Sequence, residues 1–209
     1  MKVDNESVDM GDVTSAGQRR PVASTAQTYL EELSRLLASV DLDALDRVVE
    51  AIADARDRGA MVFIAGNGGS AATATHWVND LCKAASRSGR RPIRAMCLSD
   101  NVSWLTALGN DEGYDRVFAG QLGNLAEPGD VLVVISASGN SPNLLRAVEY
   151  ASSIGVRTAA LLGFDGGALL PMVDDSVWIE TAHGEYGLVE SAHSVVADIV
   201  TTYLIDDRP

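Results

Sequence analysis

The sequence is poor in cysteine, and this scarcity limits the chemistry that the chain can hold. Its 209 residues include only Cys82 and Cys97, which lack the close spacing of a metal-binding pair. Both lie in apolar surroundings. We therefore expect both to be small, buried core residues of a protein from a reducing compartment.

Positive charge is also scarce. Sixteen Lys and Arg face 29 Asp and Glu, for a formal net charge of −13. Nucleic acids and anionic membranes are themselves negative, so neither is expected as a partner. A local cluster of Arg87, Arg90, Arg91 and Arg94 is compatible with a solvated face or with attraction of an anionic substrate.

Long hydrophobic runs are absent too. No run of about 18 apolar residues appears, which predicts that nothing spans a membrane. The first twenty residues are polar and acidic, without the apolar stretch of a secretory signal. A cytoplasmic location is therefore expected by default.

What is present has the size and pattern of one domain. Residues 1–22 lack periodicity and predict a mobile tail, followed by a single domain over residues 23–209. Two sets of apolar residues at helical spacing precede the first strand, and Gly59 is suited to end the second helix. We expect this added helix pair to be buried against another subunit through Leu33, Leu36, Val48 and Val49.

From Ala60 onward, short apolar runs alternate with helical stretches. Near-continuous apolar strands of this kind predict a doubly wound α/β fold, with a five-stranded parallel sheet covered on both faces. The predicted strands are Met61–Ala65, Ile93–Leu98, Val131–Ile135, Thr158–Leu162 and Val177–Ile179. A final helix is predicted from about Gly187 to Leu204.

A glycine-rich loop follows the first strand. It reads Gly66-Asn67-Gly68-Gly69-Ser70, and its glycines let a ligand approach the backbone at the start of the next helix. No Gly-Lys-Ser/Thr follows and the third glycine of a dinucleotide motif is missing, so neither nucleotide motif applies. A tight turn without a ligand remains the alternative.

A serine-rich loop follows the third strand. It reads Ser136-Ala137-Ser138-Gly139-Asn140-Ser141-Pro142. Pro142 suits the first helical position, which makes Ser141 a natural N-cap. Capping does not account for Ser136 and Ser138, so the three hydroxyls predict a phosphate site at a helix N-terminus.

The two loops together resemble the sugar isomerase (SIS) domain. Within that group the chain is similar to the phosphoheptose isomerases, which interconvert sedoheptulose 7-phosphate and D-glycero-D-manno-heptose 7-phosphate. The similarity extends over about residues 25–205 and includes His76 with an acid at position 80, Gly109-Asn110-Asp111, Gly163 to Gly167 and Gly187 to Asp198. It implies a flavodoxin-like fold and a homotetramer with active sites between subunits.

The resemblance also implies roles for individual residues. Substrate contacts are implied for Asn67, Gly68, Gly69, Ser70, Asn110 and Asp111, and phosphate contacts for Ser136, Ser138 and Ser141. A divalent metal, zinc in the family, would be bound by His76, Asp80, Glu190 and Asp198. Asp80 and Glu190 would also be catalytic.

Three of these positions depart from the family pattern. Asp80 stands where the family has a glutamate that is both ligand and base, Glu190 where it has a glutamine, and Asp198 where it has a histidine. The resulting set of one histidine and three carboxylates favours harder metals than a histidine-rich site does. His193, three residues after Glu190, is an alternative proton donor, and a purely structural role for it stays open.

The chemistry of aldose–ketose isomerisation matches these groups. A carboxylate can move a proton between adjacent carbons, and a metal or hydrogen-bond donor can stabilise the enediol oxygens. The predicted function is therefore isomerisation of a phosphorylated long-chain sugar, a heptulose or an octulose phosphate. A non-catalytic SIS regulatory protein and a sugar-phosphate lyase or deaminating relative remain alternatives.

Overall fold

The computed structural model describes residues 21–83 and 89–206. Its strands are β1 (Met61–Gly66), β2 (Arg94–Cys97), β3 (Val131–Ser136), β4 (Arg157–Leu162) and β5 (Asp175–Trp178). Its helices are α1 (Val22–Ala38), α2 (Leu42–Arg58), α3 (Gly69–Lys83), α4 (Val102–Asp111), α5 (Ala119–Leu125), α6 (Pro142–Ser153) and α7 (Tyr186–Asp206), with a 3₁₀ turn at Tyr114–Arg116.

The five strands form one parallel sheet in the order β2-β1-β3-β4-β5. In the sheet centre, Ile64 pairs with Val133, which pairs in turn with Ala159. Every residue of β3 is buried, because helices cover both faces of the sheet. The predicted fold class and flavodoxin-like strand order are confirmed.

Two hydrophobic layers cover the sheet. One contains residues of α1, α2, α3 and α7, with Trp77 and Val48 fully buried in it. The other contains residues of α5 and α6, including Leu122 and Leu144. Since α3 and α6 each start directly after a central strand, their N-termini lie at the carboxyl edge of the sheet.

The N-terminal helix pair corrects one expectation. Leu36, Val48 and Val49 are buried within their own chain, which needs no contact with another subunit, and Leu33 packs against the same core. Helix α2 begins at Asp41, whose side chain accepts from the amides of Asp43 and Ala44, and ends at Gly59 with φ of 73°. It is thus a covering helix of the sheet itself.

The structure also bears on the expectations for the two cysteines and for the N-terminal tail. Cys97 is buried as expected, and burial raises the pKa of its thiol, whereas Cys82 is exposed, so its predicted burial is wrong. Most of the predicted tail, residues 1–20, lies outside the described residues, and α1 already starts at Val22.

Helix α7 is the longest of the helices described above and is rich in apolar residues. By length and apolar content it would suffice to cross a membrane, yet 50% of it is buried inside the fold. Val189, Ala192, Val196 and Val200 belong to hydrophobic clusters of the protein interior. Its apolar character is therefore that of a core helix.

Candidate active site at the β1 and β3 loops

A cavity of about 180 Å³ opens where the loops after β1 and β3 meet. These neighbouring strands are the point at which the strand order reverses, the usual ligand position in doubly wound sheets. The cavity is lined by Asn67, Ser70, Ile135, Ser136, Ala137, Ser138, Ser141, Leu144, Tyr186 and Glu190. It thus unites both loops singled out in the sequence with the start of α7.

The three predicted phosphate serines all line this cavity. The Ser136 hydroxyl oxygen accepts from the Gly139 amide at 3.0 Å, and that of Ser138 from the Asn140 amide at 3.3 Å. Accepting these bonds leaves each hydroxyl proton available for a ligand. Ser141 occupies the N-cap position of α6 but makes no capping bond with its side chain, so its hydroxyl is not committed to the helix.

The serine loop is held in place by the segment after β4. Gly139 has φ of 63°, and a Cβ there would collide with the carbonyl of Gly166. The Leu169 amide donates to the Gly139 carbonyl at 2.9 Å, and the Ala168 amide donates to Asn140 Oδ1 at 2.9 Å. The segment from Gly166 to Leu169 therefore fixes the serine loop in position, which preorganises its donors.

Glu190 contributes the only carboxylate among the cavity-lining residues. Its carboxylate packs directly against Gly69, where any Cβ would collide with it. Gly69 is the first residue of α3, so the negative group lies at the positive end of that helix. Position 69 thus has to be glycine for Glu190 to occupy this place.

Tyr186 reaches the cavity from the start of α7. Its ring packs edge-on against Phe164, with centroids 5.1 Å apart and an interplanar angle of 73°. Phe164 is buried and has a positive φ of 43°, an uncommon conformation for a non-glycine residue. Sequence reasoning missed Tyr186; its only signal was its position four residues before Glu190, on the same helical face.

A second group of chemical side chains lies further along the same two helices. His76 and Asp80 of α3 and Asp198 of α7 each offer one ligand atom, and these atoms all lie within 4.8 Å of one another. His76 Nε2 is 3.4 Å from Asp80 Oδ2. One imidazole nitrogen and two carboxylate oxygens at this separation fit a divalent cation.

The structure separates Glu190 from this group. Helices α3 and α7 run side by side in the same direction, with Thr73 bonded to Ser194 at 3.2 Å between the two groups. Along α7, Asp198 lies eight residues beyond Glu190, a rise of about 12 Å, and along α3, His76 lies seven residues beyond Gly69, a rise of about 10 Å. In the described part of the chain, Glu190 therefore belongs with the serine cavity, and His76, Asp80 and Asp198 form the metal candidate.

His193 belongs neither to the serine cavity nor to the candidate metal group. It is completely buried, and within the described residues neither ring nitrogen makes a hydrogen bond of good geometry, although the Leu162 backbone lies close enough to act on the ring. Burial lowers the pKa of its imidazole to about 4, and the Leu162 backbone offsets this only partly. Its position gives no support to the expected role of proton donor and fits a core residue.

Asn110 and Asp111 lie at the end of α4, both exposed, with the Asn110 amide donating to Asp111 Oδ1 at 2.7 Å. They do not line the cavity, and neither does Gly68. Of the predicted substrate residues, the structure thus collects Asn67, Ser70 and the three serines within one chain.

The chain matches the SIS domain family over residues 28–163. This match extends over more than half of the chain, so the chain belongs to the SIS domain family. The match covers β1 to β4 with the glycine loop and the serine loop, whereas the cavity residues Tyr186 and Glu190 of α7 lie beyond it.

Relatives of known sequence and structure narrow the assignment. The chain is 39% identical over 164 residues to a phosphoheptose isomerase of Geotalea daltonii, covering 77% of this chain and 84% of the relative. It is 34% identical to a probable phosphoheptose isomerase of Thermoplasma acidophilum, covering 88% and 98%. The phosphoheptose isomerase structure from Neisseria gonorrhoeae superposes with a TM-score of 0.79 at 28% identity, covering 88% and 98%. The chain belongs to the phosphoheptose isomerase family.

Proposed function

We propose that this chain is a sugar-phosphate isomerase that interconverts sedoheptulose 7-phosphate and a heptose 7-phosphate. The observation that carries the proposal is the convergence of Ser136, Ser138, Ser141 and Glu190 on one cavity. This cavity combines donors for a phosphate with a carboxylate for proton transfer, the two functions that the reaction needs.

The phosphate would bind at the serine loop. Three hydroxyls there can donate to phosphate oxygens, and the N-terminus of α6 adds its positive dipole end, although Pro142 has no N–H and the Leu144 amide donates to the Ser141 carbonyl. These donors are neutral, so binding would rest on hydrogen bonds and on the helix dipole.

Glu190 is the proposed proton-transfer group. Its carboxylate would remove the proton from the carbon next to the carbonyl group and return it to the neighbouring carbon. In the same exchange, the carbonyl oxygen gains a proton and the adjacent hydroxyl loses one, so no external oxidant or reductant is needed. Asp80 remains the alternative base that the family resemblance implies.

A divalent metal would be held by His76, Asp80 and Asp198. When bound, such a metal would supply a positive charge beside Asp80, and with Asp80 as the base it would stabilise oxygen atoms of the enediol. Zinc is the metal that the resemblance implies, while two carboxylates and one imidazole also suit a harder ion such as Mn²⁺. Titration calorimetry with each metal, on the wild type and Asp198→Ala, tests the ligand set and the preference.

The direct test of the proposed function is incubation of the purified protein with sedoheptulose 7-phosphate, with and without added Zn²⁺ or Mn²⁺, followed by product analysis. We expect formation of an aldoheptose 7-phosphate. Tight substrate binding without turnover would instead favour a non-catalytic regulatory protein, and turnover of an octulose phosphate alone would reassign the substrate.

The cellular location and the oligomeric state of the enzyme are proposed as well. We expect a cytoplasmic enzyme that acts as a homotetramer with active sites between subunits. The apolar residues Val22, Tyr29 and Leu30 of α1 are exposed in the single chain and offer a surface for subunit contact.

A further inference from the structure

The side-chain amide of Asn67 is almost fully occupied by hydrogen bonds within the protein. Its Oδ1 accepts from the Tyr114 hydroxyl at 3.0 Å and from Asn143 Nδ2 at 2.8 Å. Its Nδ2 donates to Asn143 Oδ1 at 2.9 Å. Because the oxygen has two lone pairs and the nitrogen two hydrogens, a single N–H is left for a ligand.

The two partners of Asn67 come from separate elements. Asn143 lies in the first turn of α6 and is 2% exposed, so its amide depends on Asn67 for hydrogen bonding away from water. Tyr114 starts the 3₁₀ turn after α4, and its side chain is largely exposed. An exposed tyrosine contributes little to a core, whereas its hydroxyl fixes the orientation of a cavity residue.

We propose that Tyr114 and Asn143 are positioning residues that hold the Asn67 amide so that it offers the substrate a donor and no free acceptor. This inference rests on the proposed function. An N–H donor complements a carbonyl oxygen that becomes more negative as the enediol forms, whereas an amide oxygen turned towards it would repel that charge.

Kinetics of Tyr114→Phe test the positioning role. Loss of one neutral hydrogen bond is expected to lower kcat by about twofold to tenfold, with little change in KM, because the donor matters most as charge develops. The same substitution in an Asn67→Ala background is expected to have no further effect, since Tyr114 acts through Asn67. Tyr150→Phe, at the far end of α6, is the matched control. Equal effects of Tyr114→Phe in both backgrounds would overturn the inference.

A measurement on the free protein separates this inference from the proposed function. With asparagine-selective isotope labelling, the Asn67 side-chain NH₂ resonances are expected to shift in Tyr114→Phe and in Asn143→Ser, and to stay unchanged in Tyr150→Phe. Unmoved resonances would overturn the positioning role. Shifted resonances in a protein that turns over no sugar phosphate would retain the positioning of Asn67 and reject the isomerase.

Discussion

At the scale of single residues, the cavity depends on hydroxyls that are left free by their local structure. Ser141 illustrates this, because its position at the start of α6 predicts a capping bond that its side chain does not make. Ser136 and Ser138 accept backbone amides and keep their protons for donation. The serine pattern in the sequence pointed to the loop that lines the cavity, whereas the hydrogen bonds that leave these hydroxyl protons available required the structure.

Replacement of one serine tests the phosphate site. Ser138→Ala is expected to weaken binding of a sugar phosphate by roughly one to two orders of magnitude, because a hydrogen bond to a charged group contributes about 1.5–3 kcal/mol. Titration calorimetry with sedoheptulose 7-phosphate measures the change. Ser152→Ala, at the other end of α6, is the control, and unchanged affinity in Ser138→Ala would reject the site.

Substitutions of Asp80 and of Glu190 are expected to change different properties of the protein. Glu190→Gln should lower turnover by about 10²–10⁴-fold and leave metal affinity unchanged, because Glu190 lies with the serines and apart from the metal group. Asp80→Asn should lower both turnover and metal affinity. Asp198→His is expected to retain activity and to tighten zinc binding. Kinetics and metal content of all three variants decide between these roles, and full activity of both Asp80→Asn and Glu190→Gln would remove the proposed base.

At the scale of elements, the contact between α3 and α7 sets the geometry of the site. The two helices bring the carboxylate of Glu190 to Gly69 and, further along, Asp198 to His76 and Asp80. Helical spacing in the sequence correctly placed His76 and Asp80 on one face. It could not place Glu190 beside Gly69 or Asp198 beside His76 and Asp80, because those contacts depend on how the two helices align.

Gly69→Ala tests the helix contact. Alanine raises helix propensity, yet its Cβ would displace the Glu190 carboxylate. We expect a folded protein, with stability changed by at most about 1 kcal/mol, and a large loss of turnover. Denaturation and kinetics measured together check this, with Ala71→Gly, two residues later on α3, as a backbone control. Normal turnover in Gly69→Ala would show that the position of Glu190 is not required.

The buried His193 predicts a pH dependence of folding. Its pKa is lowered to about 4 in the folded state, from about 6.5 in an unfolded chain. The unfolded chain therefore binds a proton first as the pH falls. Stability is fully present above about pH 6.5 and is lost towards pH 4, by about 1.4 kcal/mol per pH unit.

Urea denaturation of wild type and His193→Leu between about pH 7 and pH 5 isolates this contribution. The loss of stability in the wild type should exceed that in the variant by about 2 kcal/mol, because the remaining carboxylates titrate in both proteins. Parallel losses would show that His193 binds its proton equally well in both states, contrary to its burial.

At the scale of the whole molecule, the exposed apolar side chains of α1 point to assembly. Val22 is 84% and Leu30 62% exposed, and Leu42 at the start of α2 is 68% exposed. Light scattering at micromolar concentration is expected to give the mass of a tetramer. Leu30→Glu should dissociate it, whereas a stable wild-type monomer would refute the assembly.

The sequence by itself determined the architecture, because buried parallel strands read as continuous apolar runs and their order follows from short helical crossovers. It also singled out the two loops that line the cavity, because the glycine-rich and serine-rich segments directly follow buried strands. Only the tertiary structure decided that α2 belongs to the core, that His193 is buried, and that Glu190 lines the serine cavity while Asp80 lies beside His76 and Asp198. Those outcomes depend on which helix faces meet, and side-chain periodicity within one helix carries no information about its partner.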